Sequence, residues 1–383
     1  MNLNAESLKL HKKMRGKLAV SSKIRLETRR DLSLAYTPGV AEVCRAIIKN
    51  KSAIYDYTLK SNAVAVISDG SSVLGLGNIG PEAALPVMEG KAILFKKFAD
   101  VDAYPICLAT QDTEEIIHII KHIAVGFGGI NLEDISAPRC FEIEDRLKRE
   151  LDIPVMHDDQ HGTAIVVLAA LINALSIVKK EAVDVHVVIN GAGAAAMAIA
   201  NLLMRYGIQG KHLLMVDSMG ILSKDRKDLN QYKEKIANAT NPEKWQGGLK
   251  EALEGADVFI GVSKANCLKR EWIEKMAEDP IVFAMANPDP EISPKEARKT
   301  KIKVFGTGRS DLPNQINNVL AFPGVFRGAL DAHAKSITEE MKMAAALAIA
   351  KLIPKGKRSA TNIIPSPLDP RVAKAVANAV KKC

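Results

Sequence analysis

Two features of this sequence predict an α/β protein of two domains. Short apolar runs suited to strands alternate with helix-compatible stretches along most of the chain. Its 383 residues also exceed what one compact core ordinarily supports. The strand-like runs cover residues 62–68, 103–108, 153–156, 185–189, 213–216, 258–260, 281–284 and 304–305. Several are short and continuously apolar, as expected where helices cover both faces of a largely parallel sheet. The boundary is expected near residue 160, because a strand, turn, helix and strand pattern begins just beyond it. Residues 1–160 then form one domain and residues 161–383 a second. From about residue 336 the tail is rich in Ala and Lys and helical in pattern, interrupted around 354–370, and is expected to pack back on the body.

Composition narrows the class. Hydrophobic residues make up 47% and charged residues 25%, which is ordinary for a folded chain. The formal charge of +9 is spread along the sequence and aromatic residues are only 4%, so no basic stripe with stacking partners points to nucleic acid. Five cysteines, Cys44, Cys107, Cys140, Cys267 and Cys383, form no CxxC pair, and an odd count fits poorly with a disulfide framework. A reducing, cytoplasmic setting is expected. The basic stretch from Lys9 to Lys17 is followed by no apolar run of the signal-peptide kind. The longest apolar stretch, 163–178, contains Asn173 and Ser176 and is shorter than the about 20 residues a bilayer requires. It reads as a buried core helix, so no membrane association is expected.

The segment Val185-His-Val-Val-Ile-Asn-Gly-Ala-Gly-Ala-Ala-Ala runs from an apolar strand into a helix and sets Gly191, Gly193 and Ala196 in a GxGxxA pattern. Gly191 permits a tight turn, Gly193 lets backbone approach a pyrophosphate, and Ala196 allows close helix–strand packing. Helix N-terminal amides then face the anion. This is the fingerprint of a Rossmann-type dinucleotide domain, with Ala192 and Ala194 in the same turn. Beyond the helix a second strand ends at Asp217, which could bond a ribose 2′-hydroxyl as NAD requires and would repel the extra phosphate of NADP. Ser218, Lys224 and Arg226 follow closely and could instead hold that phosphate, so the sequence leaves NAD and NADP open. Val262 and Ser263, just past the strand at 258–260, are further expected cofactor contacts. A second glycine run, Gly75-Leu-Gly-Asn-Ile-Gly80, matches GxGxxG literally but lacks the context: Pro81 and Pro86 follow, and the next strand carries no acid at its end. It reads as a tight loop, either bringing backbone near a ligand or serving only as a turn.

Two acidic segments begin where short apolar strands stop, Asn131-Leu-Glu133-Asp134 and Val155-Met-His157-Asp158-Asp159-Gln160-His161-Gly162-Thr163. Ligands of open α/β sheets bind beyond strand carboxyl ends, so these acids are candidates to converge on one cation, although nothing in the sequence joins the segments. Oxygen-only ligands suit Mg²⁺ or Mn²⁺. His157 and His161 have i, i+4 spacing, but the segment between them reads as a turn, which argues against zinc. His161 is expected to support a neighbouring loop.

Taken together, Tyr36-Thr-Pro-Gly-Val, Gly75-Leu-Gly-Asn-Ile-Gly, Leu132-Glu-Asp, His157-Asp-Asp-Gln-His-Gly-Thr, Ala286-Asn-Pro and Asn314-Gln-Ile-Asn-Asn resemble the malic enzymes, in that family's order and over nearly the whole chain. The likeness is to the short prokaryotic-type members. It implies oxidative decarboxylation of L-malate to pyruvate and CO₂ with NAD or NADP and a divalent metal. The same resemblance makes Glu133, Asp134 and Asp159 metal ligands with Asp158 as an auxiliary acid beside them, Tyr36 the general acid and Lys91 the general base. The apolar flanks of Lys91 offer a route to a lowered pKa through desolvation. Asn287, Asn317 and Asn318 are implied to hold a substrate carboxylate or the nicotinamide. The resemblance further suggests a homodimer, for which apolar stretches near either terminus could supply the interface. In one departure from the family, Ser72 stands where larger malic enzymes carry an arginine, so another group must neutralise a malate carboxylate. Malolactic chemistry at the same site and a non-catalytic dinucleotide sensor are the alternatives.

Overall fold

Ten strands form two sheets in the computed structural model, which describes residues 3–73 and 75–383. The first sheet contains β1 (Ala63–Ser68), β2 (Asp102–Cys107), β3 (Gly129–Leu132) and β4 (Val155–His157) in the order β2-β1-β3-β4, all parallel. The second contains β5 (Val187–Asn190), β6 (Leu213–Asp217), β7 (Gly220–Ile221), β8 (Val258–Gly261), β9 (Ile281–Ala284) and β10 (Val304–Thr307) in the order β10-β9-β8-β5-β6-β7. Only the short β7 runs antiparallel, against β6. β1, β3, β4, β5, β8 and β9 are buried along their whole length, which explains why their sequences read as unbroken apolar runs. β2 lies at an edge and is only half-buried. β7 has no counterpart in the sequence reading, since two residues leave no periodic trace.

The principal helices are α1 (Leu3–Met14), α2 (Arg29–Ala35), α3 (Val40–Lys49), α4 (Gly80–Ala99), α5 (Thr113–Ile123), α6 (Arg139–Glu150), α7 (Asp158–Val178), α8 (Ala194–Tyr206), α9 (Phe322–Asp331), α10 (Glu339–Lys351) and α11 (Arg371–Val380). α7 is apolar on all sides, and a single continuous core joins it to strands of both sheets. Among the described residues it is the one helix long and apolar enough to cross a membrane, and 67% of its apolar window is buried inside the fold. A smaller cluster around Phe259, Val282, Leu253 and Ile273 covers the opposite face of the second sheet. The C-terminal helices α10 and α11 do pack back on the body: Asn173 of α7 donates to Ala350 O and Ile363 O, and Gly324 of α9 lies so close to α11 that a Cβ would stand 2.6 Å from Val376.

α7 begins at Asp158, so the segment that the sequence suggested was a turn is instead the first helical turn. Two acids at a helix N-terminus favour that start, because they meet the positive end of the helix dipole. The N-terminal arm behaves differently from the rest. α1, α2 and α3 contain no buried residue, and Leu8, Leu10, Leu32, Leu34 and Ile48 all stand exposed. The arm is tied to the body by Lys17, which donates to Glu89 and to Pro86 O, and by Lys23, which pairs with Asp102.

Candidate active site

Parallel register brings the carboxyl ends of β1, β3 and β4 to one edge, with Leu132 opposite both Ile67 and His157. The residues just beyond are therefore neighbours, and the two acidic segments meet there. Asp134 takes a left-handed conformation (φ 55°), and its N–H donates to Asp159 Oδ2 at 2.8 Å. Lys91, on the inner face of α4 and only 7% exposed, lies 2.7 Å from Glu133 Oε1 and 2.6 Å from Asp158 Oδ2. Its ammonium also sits 4.1 Å over the Phe322 ring. Asn131 Nδ2 donates to the other Glu133 oxygen at 2.8 Å.

Four carboxylates thus crowd round one ammonium, and their proton affinities follow. Burial, aided by the neighbouring carboxylates and only partly offset by Lys91, pushes Glu133 well above the usual range, Asp134 to about 8 and Asp158 to about 6. For Lys91 the expected direction is reversed. Burial does pull it down, but Asp158, Glu133 and Asp159 outweigh burial and raise it. The apolar flanks seen in the sequence are real, yet three carboxylates from distant segments dominate them.

Among the described residues no three acidic, His or Cys side chains stand in a closed ligand set, since Lys91 lies between Glu133 and Asp158. The donors nevertheless fit a hard divalent ion. All are oxygens, the negative charge exceeds the positive, and Asp134 Oδ2 and Asp158 Oδ1 are buried without a hydrogen-bond partner. His161 turns away from this cluster: it bonds Glu144 of α6 and Lys342 of α10, so it supports two helices instead of the expected loop.

The fingerprint turn borders a cavity that Ala137 and Pro138, soon after Asp134 in the chain, also line. Gly191 has φ 137°, and a Cβ there would meet Val262 O at 2.9 Å, while Gly193 caps α8 with open space around it. Gly193, Asp217, Asn230, Lys233 and Pro138 line a cavity of about 380 Å³. Asp217 accepts from Arg226 at 2.8 Å and 3.1 Å, from Lys233 at 2.7 Å and from the Met219 amide. Burial opposes its charge, but Arg226 and Lys233 hold its carboxyl down at about 2. Ser218 and Lys224 are exposed beside it. Asn190 Nδ2 donates to Ser263 Oγ at 2.8 Å, and Ala192 and Ala194 lie in the turn between. The small side chain of Ala196 is buried in α8, as close packing requires.

The glycine loop at 75–80 is more than a turn. Gly75 (φ 71°) packs against Asn287, whose peptide with Pro288 is cis. Asn318 stands beside the start of α7, 3.2 Å from where a Gly162 Cβ would be, and Asn317 caps the short helix that follows it. Tyr36 is not brought to this group. It is 68% exposed on the N-terminal arm, and among the described residues its hydroxyl has no hydrogen-bond partner.

Several residues here carried no sequence signal. Glu144 is fully buried behind the β4–α7 junction, and Glu291 accepts from Ser263 N and Ala286 N, bracing the loops after β8 and β9. Arg139 pairs with buried Asp69 at 2.8 Å, next to the Ser72 turn. A larger cavity, about 910 Å³, lies among α6, α7, α8 and α10.

Fold and site together define a two-domain, dinucleotide-dependent oxidoreductase. Family models agree: residues 15–148 match the malic enzyme N-terminal domain and residues 160–383 the malic enzyme NAD-binding domain. The chain belongs to the malic enzyme family. It is 56% identical to the bifunctional malic/malolactic enzyme of Bacillus subtilis, over 100% of this chain and 93% of that one. It is 58% identical to an NAD-dependent malic enzyme of Geobacillus stearothermophilus, over 95% of this chain and 76% of that one. The crystal structure of malic enzyme from Pyrococcus horikoshii superposes with a TM-score of 0.95 at 50% identity, covering 100% of this chain and 90% of that one.

Proposed function

We propose that the chain oxidatively decarboxylates L-malate to pyruvate and CO₂ with reduction of NAD⁺ and a requirement for Mg²⁺ or Mn²⁺. The observation that carries this reading is the convergence of Glu133, Asp134, Asp158 and Asp159 on Lys91. Residues 1–160 supply the malate and metal side, and residues 161–383 the dinucleotide side.

Glu133, Asp134 and Asp159 would hold the metal, with Asp158 beside them. When bound, the ion supplies Lewis acidity at C2 and an electron sink for loss of CO₂. Lys91, once its ammonium has given its proton to solvent, takes the C2-hydroxyl proton as hydride leaves C2. The turn at 191–196 with Val262, Ser263 and Asn287 would hold the dinucleotide, which would supply the hydride acceptor. After C4 leaves as CO₂, Tyr36 delivers the proton to C3. Asn317, Asn318 and Asn287 orient the substrate, and Arg139 is the cation that replaces the missing arginine. Asp217, fully charged, would bond the ribose hydroxyls of a dinucleotide and so favour NAD over NADP.

Tyr36 lies on an arm with no buried residue and many exposed apolar side chains, which supports a homodimer. We assign Tyr36 to the partner's Lys91 site. An absorbance assay of malate-dependent nicotinamide reduction, run with each cofactor and with EDTA or Mn²⁺, tests the whole reading. Release of NADH and pyruvate only with metal is expected. Lactate without net NADH would favour malolactic chemistry, as the B. subtilis relative's name allows, and no turnover of malate would end the proposal.

A further inference from the structure

The first turn of α7 has no side-chain cap of its own, and yet it must present two adjacent carboxylates in fixed directions. What holds it comes from another helix. Glu144 of α6 is 2% exposed and receives four donors: His157 N at 3.0 Å and Lys148 Nζ at 2.7 Å on Oε1, Gln160 Nε2 at 3.3 Å and His161 Nε2 at 2.9 Å on Oε2. Lys342 fixes the His161 tautomer. Its ammonium can only donate, so Nδ1, 3.0 Å away, accepts and Nε2 carries the proton given to Glu144. Glu339 in turn holds Lys342 at 2.7 Å.

These contacts bracket the two acids. Residues 157, 160 and 161 are each tied to one carboxylate, while Asp158 and Asp159, lying between them, point the other way toward Lys91 and Asp134. Burying a charge among three helices is a poor way to gain stability alone, because desolvation offsets most of the attraction. It is an effective way to fix direction, since the backbone N–H and two side chains must all satisfy the same two oxygens.

We propose that Glu144 is a positioning residue that sets the orientation of Asp158 and Asp159 for metal binding. The inference rests on the reading of the carboxylate cluster as a metal site. Glu144 touches neither substrate nor metal, and it acts through the turn it holds. Outer partners of metal ligands typically govern metal affinity by about 10- to 100-fold.

The test is direct Mn²⁺ titration of the full-length chain by the EPR signal of free Mn²⁺, alongside NADH titration by fluorescence and thermal melting. Glu144→Gln, nearly isosteric, is expected to weaken Mn²⁺ binding at least about 10-fold while NADH affinity stays within about twofold. Glu144→Asp keeps the charge but retracts it by one methylene, so weakened Mn²⁺ binding is expected there too, even if the Gln variant does not fold. Wild-type Mn²⁺ affinity in a folded Glu144 variant, with only a lower Tm, would show a purely structural role and overturn the inference. Wild-type protein that binds no Mn²⁺ would overturn the metal reading itself. An Asp159→Ala control, expected to abolish binding, separates the two failures.

Discussion

Gly75 and Asn287 touch so closely that a β-carbon on Gly75 would stand 2.4 Å from the Asn287 carbonyl oxygen. This contact joins a loop beyond the first sheet to the loop after β9 of the second, so the two halves of the chain are set against each other there by bare backbone. Gly75 also holds a positive φ that other residues adopt at a cost. Gly75→Ala is expected to lower kcat/KM for malate by about 10- to 100-fold, the scale of an ångström's misplacement at a reacting centre. Steady-state kinetics beside a melting curve check it, and unchanged kcat/KM would refute a role for the contact.

Lys91 is the sole cation within hydrogen-bonding reach of Glu133 and Asp158 among the described residues. Lys91→Ala is expected to reduce kcat by about 100-fold or more, with a far smaller change in malate KM, because the lost group acts on a proton in transit. A variant with full turnover would remove Lys91 from its assignment as base.

Asp217 gives a pH signature. Its carboxyl is held at about 2 in the folded chain against an ordinary 3.8. A depressed acid stabilises the fold above the unfolded value, and that contribution disappears as pH falls toward the folded one. The stability gap between wild type and Asp217→Asn is therefore expected to be constant above about pH 4 and to shrink toward pH 2. Urea midpoints across that range measure it; a gap that widens on acidification would contradict the ion pairs with Arg226 and Lys233.

The proposed role of Asp217 in cofactor choice can be tested at the same position. Asp217→Ser frees Arg226 and Lys233 for a 2′-phosphate and is expected to raise the NADP-to-NAD ratio of kcat/KM by about 10-fold or more. Comparing both cofactors at saturating malate decides the point, and an unmoved ratio would mean that the ribose lies elsewhere.

Tyr36 in trans can be tested by mixing. Tyr36→Phe and Lys91→Ala chains, each impaired alone, would form hybrid dimers in which one site has both intact groups, restoring about a quarter of wild-type activity after random reassembly. Absence of recovery in hybrids verified by mass would place Tyr36 and Lys91 in the same subunit.

The sequence by itself determined the alternation of strands and helices, the tight turn at Gly191, the buried character of α7 and the positions of the acids at strand ends. Sterics, side-chain period and glycine's freedom act over a few neighbouring residues, so a linear reading reaches them. It did not show the first turn of α7, because a run of acids and histidines reads alike as turn or helix start until a neighbour such as Glu144 accepts its backbone. Nor did it give the sign of the Lys91 shift, since Asp158 is 67 positions away and Coulomb energy depends on ångströms, not on sequence separation. Only the tertiary structure decided that Asp217 is already paired with Arg226 and Lys233, and that Tyr36 stands outside the cluster it was expected to join.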